Sequence, residues 1–199
     1  MIKKEAFDIE KIAGELFDSD KCGGVLVEGA LDDGLADLRS EVKRAQFHGP
    51  RRYFDVSKDM LMRYLGEVNE NTQNPNFPLV YRLRDEFFDV YKAIGERANF
   101  SARALNSIGI HKFEKGTIGI LRHVDDDRYV NLIAAFVLTD DSSFTVFGEK
   151  DAVLYPSAGS VVLLRAPRSD AELYLRPEHA VGVQGDDRYS IVVRENKKR

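Results

Sequence analysis

The segment TIGILRHVDDDRYVNLIAAFVL, residues 117–138, joins two apolar runs through a short acidic link. Both runs have the length and the β-branched composition of a β-strand. The three consecutive aspartates at residues 125–127 repel one another, so their charge gives folding no advantage. The tetrapeptide DDRY recurs at residues 186–189, again shortly after a histidine, His179. The acidic link is therefore a candidate functional segment between two strands.

The chain around this segment, from about residue 105 onward, consists of short apolar runs separated by Gly, Asp, Ser and Pro. The runs do not alternate with long helices, which argues against a parallel α/β sheet. Their length and spacing are typical of an all-β sandwich or barrel, and the simplest such fold is a jelly roll of about eight strands. The predicted strands are residues 107–113, 117–121, 131–138, 143–147, 152–155, 160–164, 172–175, 179–184 and 188–194.

The first half of the chain has mainly helical periodicity. We therefore predict an α+β protein with a single domain, residues 1–199, in which residues 106–196 form the jelly roll and residues 1–105 pack outside it as a mainly helical region. The predicted elements of this region are a helix capped by Asp8, a short strand at residues 25–28, a helix at 31–45, a helix capped by Ser57 that carries Met60, Met62 and Leu65, a loop at 69–78 and a helix at 79–98.

The bulk composition limits the class of protein. A length of 199 residues, 43% hydrophobic and 31% charged, indicates a soluble globular protein. The net charge of −4 argues weakly against extensive nucleic-acid or acidic-membrane binding. The single cysteine, Cys22, is interpreted as a small packed residue rather than a nucleophile. With no signal peptide and no long apolar run, we expect a cytoplasmic protein that does not associate with a membrane, as a monomer or homodimer.

Three residues of the β-rich half have the spacing of a metal site. His123 and Asp125 are two positions apart, so an extended strand places both side chains on one face. His179 begins a later predicted strand and can supply a third ligand. Two histidines and one carboxylate with three open positions form the facial triad of non-haem iron(II) oxygenases. We predict His123, Asp125 and His179 as metal ligands and as the catalytic centre.

The second DDRY segment supplies a candidate anion-binding pair. If residues 185–187 form a turn, Arg188 and Ser190 lie on the next strand and face the same side. An arginine binds a carboxylate through two hydrogen bonds and a serine adds a third, which suits the distal carboxylate of a dicarboxylic co-substrate. Asn131 is predicted to face the interior and to contact the co-substrate or substrate. His48 and His111 are interpreted as structural, and Arg194 and Glu195 as a solvated strand end.

Taken together, His123-Val124-Asp125, His179 and the later Arg188-Tyr189-Ser190 resemble the 2-oxoglutarate and iron(II)-dependent dioxygenases. The resemblance covers about residues 107–194 and is supported by FEKG and GSVVLL before the two histidine segments, and by GGVLVEG near the N-terminus. It implies a double-stranded β-helix, Fe(II), 2-oxoglutarate as co-substrate and O₂, with release of succinate and CO₂. A carboxylate at Asp125 leaves no place for a halide, which favours hydroxylation or oxidative demethylation over halogenation.

The substrate and one alternative remain open at this point. The basic and aromatic segment RAQFHGPRRYF, residues 44–54, can grip a phosphate through Arg51 and Arg52, but it is more simply a solvated loop. The loops at residues 46–56, 66–78 and 122–130 are expected to shape the mouth of the site. The acidic charge favours a small molecule or a protein over nucleic acid. The alternative is a cupin-like jelly-roll binding module, or a metal-dependent enzyme that does not use 2-oxoglutarate.

Overall fold

The computed structural model describes residues 1–18, 20–47, 60–67, 74–116, 119–139, 143–148, 150–167, 176–182 and 185–197, with only the course of the backbone for residues 60–67. The described residues contain three α-helices, all in the first half of the chain, and each corresponds to a predicted helix. Asp8 caps the first helix, because its carboxylate accepts a hydrogen bond from the Lys11 backbone N–H. The helices are α1, Ile9–Phe17, α2, Leu35–Lys43, and α3, Pro78–Ala98.

Within the described residues, ten strands form two antiparallel sheets. The larger has the order β1-β8-β5-β10-β3-β2 and the smaller the order β4-β9-β6-β7. From β3 to β10 each strand lies in the other sheet from the strand before it, except that β6 and β7 are neighbours in the smaller sheet. This is the topology of a jelly roll and confirms the predicted α+β fold. The strands are β1, Gly24–Val27, β2, Met60–Glu67, β3, Ser107–Phe113, β4, Ile120–His123, β5, Tyr129–Val137, β6, Phe144–Phe147, β7, Ala152–Leu154, β8, Val161–Arg165, β9, Glu178–Val181, and β10, Arg188–Asn196.

Two apolar layers hold the architecture together. The outer layer joins the helices to the large sheet, with Phe87 of α3 edge-on against Phe136 of β5 at 5.1 Å between ring centroids. The inner layer lies between the two sheets and includes Phe144, Val162 and Val192. Strand residues alternate between these layers because successive side chains point to opposite faces. The inner layer therefore contains the side chains that surround the predicted site.

The structure corrects part of the N-terminal prediction. Residues 60–67 form strand β2 rather than the predicted helix, and Met60, Met62 and Leu65 lie within it. The strand pairs antiparallel with β3, where Arg63 lies opposite Ile110. Apolar residues two and three positions apart fit either a strand or a short helix, and the free sheet edge of β3 decides between them. Ser57, the proposed cap, and the predicted strand at residues 172–175 lie outside the described residues.

Asn131 is a second correction. It takes a left-handed backbone conformation with φ of 64°, at a bulge where the pairing of β5 with β10 shifts between Arg194 and Glu195. The bulge interrupts the alternation of side chains and turns the Asn131 amide towards α3. There it donates to the Tyr91 hydroxyl at 3.1 Å and to the Glu195 carboxylate at 3.2 Å. Asn131 therefore lies in a structural network and not in the interior of the jelly roll.

This buried network also corrects the prediction for Glu195. Only 4% of Glu195 is exposed, so it is not a solvated strand end. Its carboxylate accepts hydrogen bonds from the Tyr91 hydroxyl and from the Arg103 backbone N–H. Burial and the neighbouring Glu195 raise the pKa of Tyr91, so its hydroxyl stays protonated and remains a donor. The network fixes the end of β10 against α3.

Glu195→Ala is expected to destabilise the protein by about 3 kcal/mol, because the buried Tyr91 hydroxyl and the Arg103 backbone N–H lose their acceptor and Asn131 loses one of its acceptors. Equilibrium unfolding in urea measures the change. The exposed glutamate Glu96 of α3 provides a control, since Glu96→Ala is expected to change stability by less than about 0.5 kcal/mol. A loss below about 1 kcal/mol in Glu195→Ala would show that the network contributes little.

Candidate metal centre

The antiparallel pairing of β4 with β9 brings the two predicted histidine ligands together. His123 lies directly opposite His179 in this pair, and their ring centroids are 4.3 Å apart. Asp125 follows β4 and turns back, so that its Oδ1 is 3.8 Å from His123 Nε2. One ligand atom from each of the three side chains lies within 4.8 Å of the others. Residues far apart in the chain thus meet in one cluster.

Hydrogen bonds orient both imidazole rings. His123 Nδ1 lies 2.8 Å from the Leu121 carbonyl, and His179 Nδ1 lies 3.4 Å from the Pro177 carbonyl. A ring that donates from Nδ1 presents the lone pair of Nε2, which is the arrangement common in protein metal sites. Phe144 stacks on His179 at 5.5 Å with the rings nearly parallel. The rings are therefore held in place before any metal binds.

The electrostatics of the cluster favour metal-binding protonation states. Burial alone raises the pKa of Asp125, but His123 and the charge of Arg194 outweigh it and hold that pKa well below its usual value. Burial lowers the pKa of His179, so this ring is neutral at pH 7. Burial also acts to lower the pKa of His123. The hydrogen bond and the charge of the adjacent Asp125 act in the opposite direction and are stronger, so the pKa of His123 is raised. A metal at His123 therefore competes with one proton.

The donor set fits Fe(II). Two imidazoles and one ionised carboxylate from three positions on two strands match the facial triad, which leaves the remaining coordination positions for other ligands. A structural zinc site, by contrast, is closed by four protein ligands. Among the described residues, no fourth His, Cys, Asp or Glu joins the cluster. The three side chains can thus hold the metal while leaving it open to a co-substrate.

Arg188 and Ser190 lie where the sequence pattern predicted, on the inner face of β10. Arg188 is 2% exposed and Ser190 is 4% exposed. Their neighbours Tyr189 and Ile191 pack in the outer layer, whereas Val192 packs in the inner one. Burial lowers the pKa of Arg188 to about 10, so it stays charged at neutral pH. A buried cation between the sheets is a candidate binding group for the far end of an acidic co-substrate.

Sequence reasoning missed that His111 and Arg194 also face this interior. His111 on β3 lies opposite Ser190, and among the described residues its Nε2 is buried with no hydrogen-bond partner. Burial and the nearby Arg194 lower the pKa of His111 to about 3, so the ring is neutral. Arg194 is 8% exposed rather than solvated, and its guanidinium lies 4.5 Å from the Tyr129 ring centre. Arg188 and Arg194 are an even number of residues apart on one strand, which places both side chains on the same face, and this spacing could have predicted the position of Arg194.

The acidic link itself forms the rim of the cluster. Asp126 accepts hydrogen bonds from the backbone N–H and the guanidinium of Arg128, at 3.0 and 2.5 Å. Asp127 is exposed. Tyr129 is 8% exposed and begins β5, so it belongs to the barrel wall rather than to a loop. His48, Arg51 and Arg52 lie outside the described residues.

Known structures with the same architecture come from prolyl hydroxylases and a related oxygenase. A prolyl hydroxylase from Trichoplax adhaerens, in complex with a peptide fragment of the hypoxia inducible factor oxygen degradation domain, aligns with a TM-score of 0.72 at 10% identity, over 98% of this chain and 94% of that one. A Pseudomonas putida prolyl-4-hydroxylase aligns at 0.67 and 16% identity, over 96% and 100% of the two chains. A 2OG-Fe(II) oxygenase family protein from Burkholderia pseudomallei aligns at 0.65 and 17% identity, over 94% and 89%.

No sequence model of a protein family matches the chain, and a search of curated proteins gives no match either. Within the described residues, no helix combines the length and apolarity needed to cross a bilayer. The structural likeness nevertheless extends over nearly the whole chain, including the helices outside the jelly roll. The chain has the double-stranded β-helix fold of these prolyl hydroxylases and of the oxygenase family protein.

Proposed function

We propose that the protein is an Fe(II) and 2-oxoglutarate-dependent dioxygenase that hydroxylates or oxidatively demethylates its substrate. The observation that carries the proposal is the convergence of His123, Asp125 and His179 into one cluster, together with the burial of the cation Arg188 on the inner face of β10. Neither the metal cluster nor the buried arginine is specific by itself, since many proteins bind metals and many bury an arginine. A triad with an open side and a buried anion-binding group together suit a metal-chelating keto acid.

Each residue has a distinct part in this function. His123, Asp125 and His179 hold the metal, and Arg188 with Ser190 holds the distal carboxylate of 2-oxoglutarate. When bound, Fe(II), 2-oxoglutarate and O₂ supply the oxidising chemistry, in which one oxygen atom enters succinate as CO₂ is lost and the other enters the substrate. The inner apolar residues Ile133 and Leu164 exclude water from the site.

The substrate class is also a proposal. We propose a cytoplasmic protein, monomeric or homodimeric, that acts on a small molecule or a protein rather than on nucleic acid. The net charge of −4 supports this choice. The alternative, a cupin-like binding module with or without a metal or a metal-dependent enzyme of another kind, predicts no dependence on 2-oxoglutarate. The buried charge of Arg188 favours the oxygenase.

An anaerobic titration tests the proposal. The protein is expected to bind one Fe(II) per chain, and adding 2-oxoglutarate is expected to produce a weak visible charge-transfer absorption as the keto acid chelates the metal. Admission of O₂ is then expected to release succinate slowly, and faster with an accepted substrate from a panel of metabolites, amino acids, peptides and methylated oligonucleotides. Stoichiometric Fe(II) binding with no 2-oxoglutarate binding would favour the cupin-like alternative.

A further inference from the structure

A small cavity lies beside the candidate metal centre and away from Arg188. It has room for about one water molecule. Ile133, which lines it, pairs with Arg194, six residues from Arg188 along β10 and about 20 Å away in an extended strand. The cavity and Arg188 thus lie towards opposite ends of β10. The lining residues are Asp125, Asp126, Tyr129, Ile133, Leu164, Arg165, Ala166, Arg176, Pro177 and His179.

Arg176 brings a buried guanidinium to this cavity, and one of its three nitrogens has an acceptor among the described residues. Its Nη1 donates to the Asp125 backbone carbonyl at 2.7 Å, which anchors the guanidinium beside the metal centre. Its Nε and Nη2 are buried, and neither has a hydrogen-bond partner among the described residues. Each buried donor without an acceptor costs about 1–3 kcal/mol, so a native fold keeps such an arrangement only for a reason. An acceptor that arrives with a ligand supplies that reason.

The structure also makes room for a second cation at the cavity. Arg165, at the end of β8, is 8% exposed, and its backbone N–H donates to the Gly23 carbonyl at 2.8 Å. Gly23 has a φ of 78°, and a Cβ there would lie 2.9 Å from Arg165 Nε. Glycine at this position therefore permits both the backbone turn and the close approach of the arginine side chain.

Both carboxylates of the cavity wall are engaged by other groups. Of its two carboxylates, Asp126 is bonded to Arg128, and Asp125 belongs to the metal cluster. A divalent cation held by Asp125 would add further positive charge next to Arg176. An oxyanion is the ligand that matches a guanidinium with two adjacent donors in such a field.

We infer that Arg176, assisted by the charge of Arg165, binds a carboxylate or phosphate group of the substrate next to the metal centre. This inference rests on the proposed function. The size of the cavity limits the bound part to one or two oxygen atoms, with the rest of the substrate lying over the metal. The substrate is accordingly an anionic small molecule whose oxidised carbon is close to its acidic group.

Matched acid and neutral probes test the inference. The anaerobic Fe(II) and 2-oxoglutarate complex is titrated calorimetrically with L-amino acids and their carboxamides, and with phosphoethanolamine and ethanolamine. The two pairs separate carboxylate from phosphate recognition. We expect at least one acid to bind, and its neutral counterpart to bind at least about tenfold more weakly. Equal binding of every acid and its neutral counterpart, or no binding of any acid, overturns the inference.

Variants assign the effect to Arg176. Arg176→Gln is expected to lower the affinity for the acid probe at least about tenfold while leaving the metal and 2-oxoglutarate affinities unchanged. Arg176→Lys is expected to retain part of the affinity for the acid probe. Arg165→Gln is expected to have a smaller effect of the same sign. Arg122→Gln is the matched control, because Arg122 is exposed and paired with Glu178 beside His179. It is expected to leave acid binding unchanged.

Two outcomes separate this inference from the proposed function. If Arg176→Gln weakens 2-oxoglutarate instead of the acid probe, the cavity serves the co-substrate and the inference is wrong. If the wild-type protein binds neither Fe(II) nor 2-oxoglutarate, the proposed function fails. Titration of the metal-free protein with the same pairs then shows independently whether the cavity binds an anion. Urea unfolding of each variant shows whether a lost signal reflects lost folding.

Discussion

His179→Ala and His123→Ala are each expected to lower the affinity for Fe(II) by at least about a hundredfold. Removing a hydrogen-bonding partner of a metal ligand already costs about 10–100-fold, and removing a ligand costs more. The two rings lie 4.3 Å apart on paired strands, so neither can move to replace the other without breaking the pairing of β4 with β9. Calorimetry with Mn(II) or Co(II) in place of Fe(II) measures the loss without oxidation.

The acidic link provides the matched control for this experiment. Asp125→Asn is expected to weaken metal binding as strongly as the histidine variants, because Asp125 supplies the carboxylate of the cluster that the described residues form. Asp126→Asn makes the same chemical change at the neighbouring residue. Because Asp126 is bonded to Arg128 and lies outside the cluster, this variant is expected to keep the metal affinity of the wild type. Full-strength metal binding by both histidine variants would remove the facial triad from consideration.

Arg188→Ala is expected to lower the affinity for 2-oxoglutarate by at least about a hundredfold and to leave the metal affinity unchanged. A charge-assisted hydrogen bond is worth roughly 1.5–3 kcal/mol, and an arginine offers two to one carboxylate. The guanidinium is 2% exposed and remains charged, with a pKa of about 10, so water cannot substitute for it efficiently. The 2-oxoglutarate dependence of the visible absorption in the anaerobic Fe(II) protein gives the dissociation constant.

Two further variants refine this assignment. Arg188→Lys keeps the charge but loses the planar pair of donors, so an intermediate affinity is expected. Ser190→Ala removes one neutral hydrogen bond, and about a tenfold loss or less is expected. The division of roles between Arg188 and the metal ligands is contradicted if Arg188→Ala loses the metal and retains the keto acid.

The fold class and the arrangement of the candidate site could be predicted from the sequence because both depend on short-range patterns. Short apolar runs at regular spacing are compatible with few folds other than a jelly roll. The two-residue spacing of His123 and Asp125, and of Arg188 and Ser190, places each pair on one side of an extended chain whatever the strand pairs with. The structure brings the three predicted ligands together and buries Arg188 between the sheets.

The rest depended on contacts between distant parts of the chain. Residues 60–67 carry a pattern that fits a helix or a strand, and only the unpaired edge of β3 makes them a strand. The alternation of side chains along the strand predicts that Asn131 faces the interior. The bulge opposite Glu195 turns this side chain to the other face, and no local sequence signal marks that bulge. Local patterns cannot predict either outcome, because each is set by the register of a neighbouring strand.

The sequence by itself thus determined which side chains can bind a metal and an acid, because strand periodicity fixes faces within one segment. Only the tertiary structure decided which other groups surround them. Arg176 lies beside Asp125 in the cavity because it lies just before β9, which pairs with β4. His111 lies opposite Ser190 because β3 pairs with β10. Sequence distance carries no information about such neighbours. Pairing and burial, rather than local propensity, created the cationic surroundings of the metal centre.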